Sequence, residues 1–526
     1  MKRLEYLKTL KARRLKEQKL RELQVKLGYE PYRLWIKKYW TSRNQPLDFK
    51  QHKYLEQIYN DQSREIVYEK GAQSGFTERM ITEALWLVDQ FIENALYLFP
   101  SSGTVSDLVQ TRIDGPINNN KYLSNVSGRA KKTEAKHADK VALKKMSKGF
   151  VFFRGSNSAT QITSVPADAV FVDELDRMVQ ENVPYFNKRL QHSKRRWIRW
   201  ASTPTIPNFG IDLKFQESDQ HYCHLKCTHC GEDQVLDFFA NVDQEKELLV
   251  CKKCRQQIVP WECEMKWIPN NPTSSIRGYH ISQLYSPYLN IKEIIEESKK
   301  TSEFEVMQFF NQILGLPYEP KGAKISDADL TACIRDYTIP YKYEKMRTYM
   351  GIDVGTLFHY SIIDDKRLIM AGTCKDVDDL ILIAKEYNAV CTVIDGAPEP
   401  RSSEKFARGA QGQNYLCWYT DTANFKKGEW WQKDVLKVNT GRTMSLDVST
   451  NVIKQQLLEL PKNLNDYPDF KNHLRNLIRI IRENKHGDKI AEYLKTGEDH
   501  FRHTLNYAVL ARDIFNKGGI PEIFTF

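Results

Sequence analysis

Residues 66–88 read IVYEKGAQSGFTERMITEALWLV: a short apolar run, a polar turn, then apolar positions at helical spacing. The pattern predicts a strand, a tight turn and a helix. ADAVFVDELDR, residues 167–177, is an apolar run closing on Asp173 and Glu174, as in a buried parallel strand that ends in two adjacent carboxylates. RWIRWASTPT, residues 196–205, reads as a third strand that ends in Ser202, Thr203 and Pro204. From about residue 347 the pattern restarts. RTYMGIDVGTLFHYSIID predicts two strands joined as a hairpin, with Asp353 inside the first, and AVCTVIDGAP a further strand with Asp395 at its end. GEDHFRHTLNYAVLARDIF begins a C-terminal helix with Asp499 and His503 one turn apart on one face and His500 beside them.

The first turn carries chemistry. Aligned on G-x-x-x-x-G-K-[ST], Gly75 and Thr77 match, Phe76 occupies the lysine position and Lys70 stands at the first glycine. A phosphate cradle is made mainly by backbone N–H groups and the helix N-terminus, so a lysine leaving the strand end can reach the phosphates from the other lip. Thr77 then offers a hydroxyl to magnesium. Asp173 supplies the second magnesium partner, usually through water, and Glu174 orients or deprotonates the attacking water. Small hydroxyls at Ser202 and Thr203 are placed to sense the γ-phosphate.

Cysteine spacing adds a metal. Cys227, Cys230, Cys251 and Cys254 form a C-x2-C-x20-C-x2-C array, the spacing of a zinc ribbon. Four thiolates leave no open position, so the zinc is expected to be structural. Cys223, His224, His229 and Cys263 lie nearby as possible substitutes. Ten cysteines in 526 residues do not suggest a disulfide scaffold.

Charge narrows the partners. A net charge of +11 favours a polyanion, and residues 1–26 hold ten Lys or Arg against three acids with leucines at roughly helical spacing. That segment reads as a basic amphipathic helix. Residues 130–145, AKKTEAKHADKVALKK, are a second basic run. No apolar run is long enough for a membrane span, so a soluble intracellular protein with no membrane partner is expected.

A carboxylate inside a strand is unwelcome unless it binds something. Asp353, Asp395 and a third ligand from the late helix, Asp499 or His503, have the layout of an RNase H-like nuclease, in which such acids hold two divalent ions. The expected fold is therefore α/β: a P-loop ATPase domain with a parallel sheet, an inserted zinc ribbon and a C-terminal RNase H-like nuclease domain. The expected divisions are a basic N-terminal helix at 1–30, the ATPase at 31–215, the ribbon at 216–275, a linker region at 276–345 and the nuclease at 346–526.

In this order, a P-loop with its lysine at the front, a strand ending Asp-Glu, a four-cysteine ribbon and the nuclease acids resemble the large terminase subunit of tailed bacteriophages. The ribbon and KGAQSGFT are most similar to the lambda-type branch. The resemblance covers residues 45–515 and implies a motor that pumps double-stranded viral DNA into a procapsid and cuts concatemers to genome length. It implies Lys70, Gln73, Ser74, Gly75 and Thr77 as the nucleotide cradle, with Gln51 recognising adenine. Asp173 becomes the magnesium residue, Glu174 the base and Ser202 to Thr205, Thr203 included, the coupling motif. Asp353 and Asp395 match the first two nuclease acids, and Asp499 or His503 the third. Arg112 and Arg129 are both candidates for an arginine finger. Implied cofactors are ATP, Mg2+ (or Mn2+ at the nuclease) and Zn2+. Implied partners are double-stranded DNA, the small terminase subunit and the portal protein of the procapsid, with a homo-oligomeric ring on the portal in the host cell cytoplasm. A helicase or translocase with a nuclease domain is a rival, but a zinc ribbon follows Thr205 where a second lobe is needed. An integrase-like recombinase leaves Lys70 to Thr77 unexplained, and a zinc-ribbon scaffold with decayed sites is the non-enzymatic alternative.

Overall fold

Strand β1, Glu65–Lys70, lies inside an eleven-stranded sheet in the computed structural model, which describes residues 29–42, 45–128, 139–140, 142–343, 346–420, 430–483 and 488–516. The basic N-terminal segment, Arg129 and most of residues 130–145 lie outside the described residues. The described residues form two units, 1–319 and 320–526.

In the first unit, β1 is followed by helix α1, Phe76–Gln90, and then by β2, Ala95–Phe99, β3, Phe150–Gly155, β4, Ala169–Asp173, and β5, Trp197–Ser202. Three later strands join them: β6, His221–Lys226, β7, Asp233–Val235, and β8, Glu264–Pro269. The last is β9, Arg277–Ile281. The order across the sheet is β7-β6-β9-β1-β5-β4-β2-β3, with β8 pairing β6 and two short strands beyond β3. From β6 to β3 every pairing is parallel.

The apolar runs are continuous because both faces of this sheet are covered. Ile66, Tyr68, Tyr97 and Phe171 enter one hydrophobic layer, while Val67, Leu96, Val170 and Val172 enter the other.

Two expected boundaries change. The ribbon expected over 216–275 begins and ends inside the sheet, since β6 and β8 pair antiparallel and β6 runs parallel to β9. The linker expected over 276–345 is not a linker. Its first strand, β9, pairs with β1 through Arg277↔Ile66 to Ile281↔Lys70. Helix α2, Glu303–Gln308, continues as a π-helix, Phe309–Leu314, that lies against the turn after β1.

The second unit is built on a seven-stranded sheet. It begins with β10, Thr348–Val354, β11, Phe358–Ile363, and β12, Leu368–Cys374, an antiparallel meander. Strands β13, Ala389–Asp395, β14, Gln413–Tyr419, and β16, Lys437–Thr440, then run parallel outward from β10, with β15, Trp431–Lys433, at the edge. The C-terminal helix α3, His500–Phe515, crosses β10 at Gly351, where a Cβ would stand 2.0 Å from the Thr504 carbonyl oxygen. Only glycine permits that approach, and it fixes where the helix N-terminus lies.

Candidate active sites

The first centre stands at the C-terminal ends of β1, β5 and β4, where parallel α/β sheets bind ligands. Lys70 closes β1 and Glu174 follows β4, and their side chains meet at 3.3 Å across the end of β5. Glu174 is left-handed (φ 63°), so the chain turns as β4 ends and the two adjacent carboxylates take different partners. Asp173 accepts a hydrogen bond from the Tyr97 hydroxyl at 3.1 Å, and the Thr77 hydroxyl is near enough to lower its proton affinity. Burial, with Glu174 beside it, raises the Asp173 carboxyl above the usual range. Burial also works to raise Glu174, but the Lys70 ammonium and then Arg177 outweigh it and hold this carboxyl low.

A buried Oδ1 of Asp173 and the buried Ser74 hydroxyl have no hydrogen-bond partner. Both belong to the set expected to hold magnesium and phosphate, and an unpaired carboxylate oxygen beside a threonine hydroxyl fits a hard cation. Gly75 and Gln73 have positive φ in the turn, and Gln73 is exposed. Gln51 is also exposed, two residues ahead of the helix Lys53–Ile58, whose Tyr54 hydroxyl donates to the Ser74 carbonyl at 3.2 Å. Phe76, at the ordinary lysine position, is fully buried and stacks on Tyr68 with centroids 4.5 Å apart. That position faces the core, whereas Lys70 stands at the front of the turn. Arg112 is exposed and close enough to Tyr97 to act on its charge.

The segment after β5 is tied on both sides. Asp176 accepts from the Thr205 and Ile211 amides, each at 2.8 Å, and the Asp176 amide donates to the Ser202 hydroxyl at 3.2 Å. On the other side the Gln312 amide nitrogen donates to the Thr203 hydroxyl at 3.3 Å, while the Gln312 carbonyl accepts from Ala72 N–H at 2.7 Å. Gln312 thus joins the phosphate turn to Thr203, a link the sequence did not reveal.

In the ribbon, Cys227 and Cys254 have their sulfurs 3.8 Å apart, and Cys230 and Cys251 3.7 Å. Four sulfurs at about 2.3 Å from a tetrahedral zinc have edges of about 3.8 Å, so the cluster fits zinc, whereas a disulfide needs about 2.05 Å. Cys223, His224, His229 and Cys263 are not in this group. His224 pairs with Asp233 at 3.0 Å.

The second centre lies on the second unit. The register Ile352↔Ile394 places Asp353 and Asp395 one residue further on, side by side at the ends of two parallel strands. Burial, assisted by Asp353, raises Asp395 to about 6 against the Ala397 amide and His503. Asp499 and His503 pair with each other at 3.3 Å. Asp499 is also bound by Lys495 at 2.7 Å, and His503 Nδ1 meets the Tyr419 hydroxyl at 3.0 Å. Asp353 is met instead by His500, Nδ1 to Oδ2 at 2.8 Å. His359 stands directly opposite Asp353 in the hairpin. Burial, then the neighbouring His500, lowers the proton affinity of His359, whereas the bond to Asp353 raises that of His500. His359 does not stand out in the sequence, although the short turn GTL between β10 and β11 carries the register that sets it opposite Asp353.

A P-loop ATPase fold and an RNase H-like nuclease fold on one chain define the class of protein. The family model described as phage terminase large subunit gpA, ATPase domain, matches residues 39–266, and that of the terminase large subunit gpA endonuclease domain matches residues 276–357. The large terminase subunit of Escherichia phage lambda is 23% identical over 417 residues, 68% of this chain and 64% of the relative. That of Enterobacteria phage P21 is 25% identical over 192 residues, 34% of this chain and 29% of the relative. This chain therefore spans less than two thirds of the length of these relatives. Among solved structures, it is similar to the large terminase of a thermophilic bacteriophage at a TM-score of 0.32 and 11% identity, covering 90% of this chain and all of that one. It is also similar to the large terminase nuclease of thermophilic phage G20c with bound magnesium at a TM-score of 0.24 and 12% identity, covering 35% of this chain and 96% of that one. The chain belongs to the family of phage terminase large subunits.

Proposed function

We propose that this protein is an ATP-driven motor that moves double-stranded DNA into a procapsid and cuts concatemeric DNA with a metal-dependent endonuclease. The observation that carries this reading is the apposition of Lys70 and Glu174 over the end of a parallel sheet, on a chain whose other unit sets Asp353 beside Asp395.

In the motor centre, Lys70, Gln73, Ser74, Gly75 and Thr77 hold the phosphates, Gln51 meets the adenine, and Thr77 and Asp173 hold magnesium. Magnesium, when bound, offsets charge on the phosphates. Phosphates draw Lys70 away from Glu174, and a carboxylate freed of its ammonium is a stronger base for the attacking water. Thr203 responds to the γ-phosphate and passes its loss to the turn through Gln312.

In the nuclease centre, Asp353 and Asp395 would hold two divalent ions, which when bound would activate water for attack and offset charge on the leaving oxygen. Asp499 orients His503, which carries a proton beside Asp395. Cys227, Cys230, Cys251 and Cys254 hold a structural zinc. DNA is gripped through phosphates, which are indifferent to sequence, and the small terminase subunit chooses the cut site. A ring of copies works on the portal protein of the procapsid in the host cell cytoplasm.

The test is DNA packaging with procapsids and small subunit of the same phage. ATP-dependent protection of genome-length DNA from added nuclease is expected. Vigorous ATP hydrolysis without protected DNA would overturn the motor reading.

A further inference from the structure

We propose that His359 and His500 join Asp353 as ligands of a divalent transition-metal ion, making one cation position of the nuclease unit rich in imidazole and selective for Mn2+ over Mg2+. This rests on the reading of Asp353 as a nuclease residue and goes beyond it in naming the ligands and the class of ion.

Three elements bring the set together. Cross-strand partners in an antiparallel hairpin share a face, so Asp353 and His359, paired directly in β10 and β11, project to the same side. His500 is the first residue of α3, and the close crossing at Gly351 delivers it to that side. One ligand atom from each of Asp353, His359 and His500 lies within 4.8 Å of the others.

The polar atoms of this cluster are incompletely used. His359 Nδ1 is buried and has no hydrogen-bond partner. The His359 and His500 rings stack at 4.4 Å with 12° between their planes, which disfavours charging both. Neighbouring imidazoles contrast with them. His473 accepts from the Phe501 amide at 3.4 Å with one nitrogen and faces Glu498 at 3.4 Å with the other. His503 is likewise occupied by Tyr419 and Asp499. Bonds of about 2.1 Å at right angles separate ligand atoms by about 3 Å, close to the 2.8 Å between His500 Nδ1 and Asp353 Oδ2.

Ligand softness then decides the ion. Imidazole suits transition metals, while Mg2+ demands oxygen and keeps its waters. Asp353 is shared between an oxygen-rich side facing Asp395 and a nitrogen-rich side facing His359 and His500, and the second side discriminates between ions.

The test is Mn2+ binding to the full-length protein without nucleotide, followed by electron paramagnetic resonance and pulsed detection of nitrogen couplings. Wild type is expected to bind Mn2+ at least tenfold more tightly than Mg2+, with couplings from imidazole nitrogen. His359→Ala should weaken Mn2+ at least tenfold and diminish those couplings, with an unchanged urea-denaturation profile and circular dichroism spectrum serving as the check on folding. His359→Gln provides the same reading should the alanine variant misfold. Bound Mn2+ without nitrogen couplings, or unchanged affinity in a folded His359 variant, overturns the proposal. Nitrogen-coupled Mn2+ in a protein that does not nick DNA would leave this site standing and remove the nuclease reading. Nicking without nitrogen coupling would do the reverse.

Discussion

Lys70 and Glu174 form an ion pair at 3.3 Å between the end of one parallel strand and the residue after another, with the end of β5 between them. The lysine therefore stands at the front of the turn, while Phe76 at the usual position is a core residue. Lys70→Ala is expected to abolish ATP hydrolysis and leave DNA nicking intact. Adding Phe76→Lys should not restore hydrolysis, since an ammonium there replaces a buried ring stacked on Tyr68. The double variant should lose about 3–5 kcal/mol of stability, read by urea denaturation. Recovery of ATP hydrolysis in the double variant would show that the cation can act from either lip.

Gly315 supports the turn after β1 from a segment expected to be a linker. Its φ is 66°, and a Cβ there would stand 2.6 Å from the Gly71 nitrogen. Gly315→Ala is expected to weaken nucleotide binding at least tenfold, measured by calorimetry, and to destabilise the first unit by about 1–3 kcal/mol. Gln312→Ala should instead preserve nucleotide affinity and slow hydrolysis, because it loses the bond to Thr203 but keeps the backbone bond to Ala72.

Glu83 sits fully buried between Arg79 at 2.7 Å and Arg199 at 2.8 Å. Burial alone would raise its pKa, but Arg199 and Arg79 prevail and lower it from 4.5 to about 2. The unfolded chain therefore binds the proton more readily than the folded one. The stability contributed by the ionised carboxylate is present above pH 4.5 and lost as pH falls from 4.5 towards 2. Glu83→Gln is expected to cost about 3–5 kcal/mol at pH 7 by leaving buried arginines without their counter-charge. Denaturation at a series of pH values should show the gap from wild type narrowing below pH 4.5. A gap constant down to pH 3 would contradict the ion-pair assignment.

Zinc removal should act on the edge of the ATPase sheet, because the ribbon is inserted between β6 and β8. Elemental analysis is expected to find one zinc per chain in wild type and none in Cys251→Ser. The first unit should melt at lower temperature in the variant, since zinc binding is coupled to folding. Absence of zinc from wild type purified without chelator would remove this claim.

Much of the first unit was legible because strands buried on both faces must be apolar, so β1, β4 and β5 announce themselves and their polar ends. Strand β9 was hidden by the same logic. RGYHI carries Arg277 and His280 into the buried sheet, and only the fold supplies their partners, Asp61 and Asp219 for the arginine and the Gly315 carbonyl for the histidine. At the nuclease centre, Asp353 and Asp395 were legible as carboxylates in apolar strands. His359 was not, because its role depends on hairpin register. The late helix was legible as an element, but not which of its histidines meets Asp353, since whether His500 or His503 faces that carboxylate depends on where α3 crosses Gly351.

The most direct measurement compares wild type, Glu174→Ala and Asp353→Ala for DNA-stimulated ATP hydrolysis and for plasmid nicking in magnesium and in manganese. Wild type should show both activities, Glu174→Ala nicking only, and Asp353→Ala hydrolysis only. Loss of both activities in either folded variant would contradict two separate centres on two units.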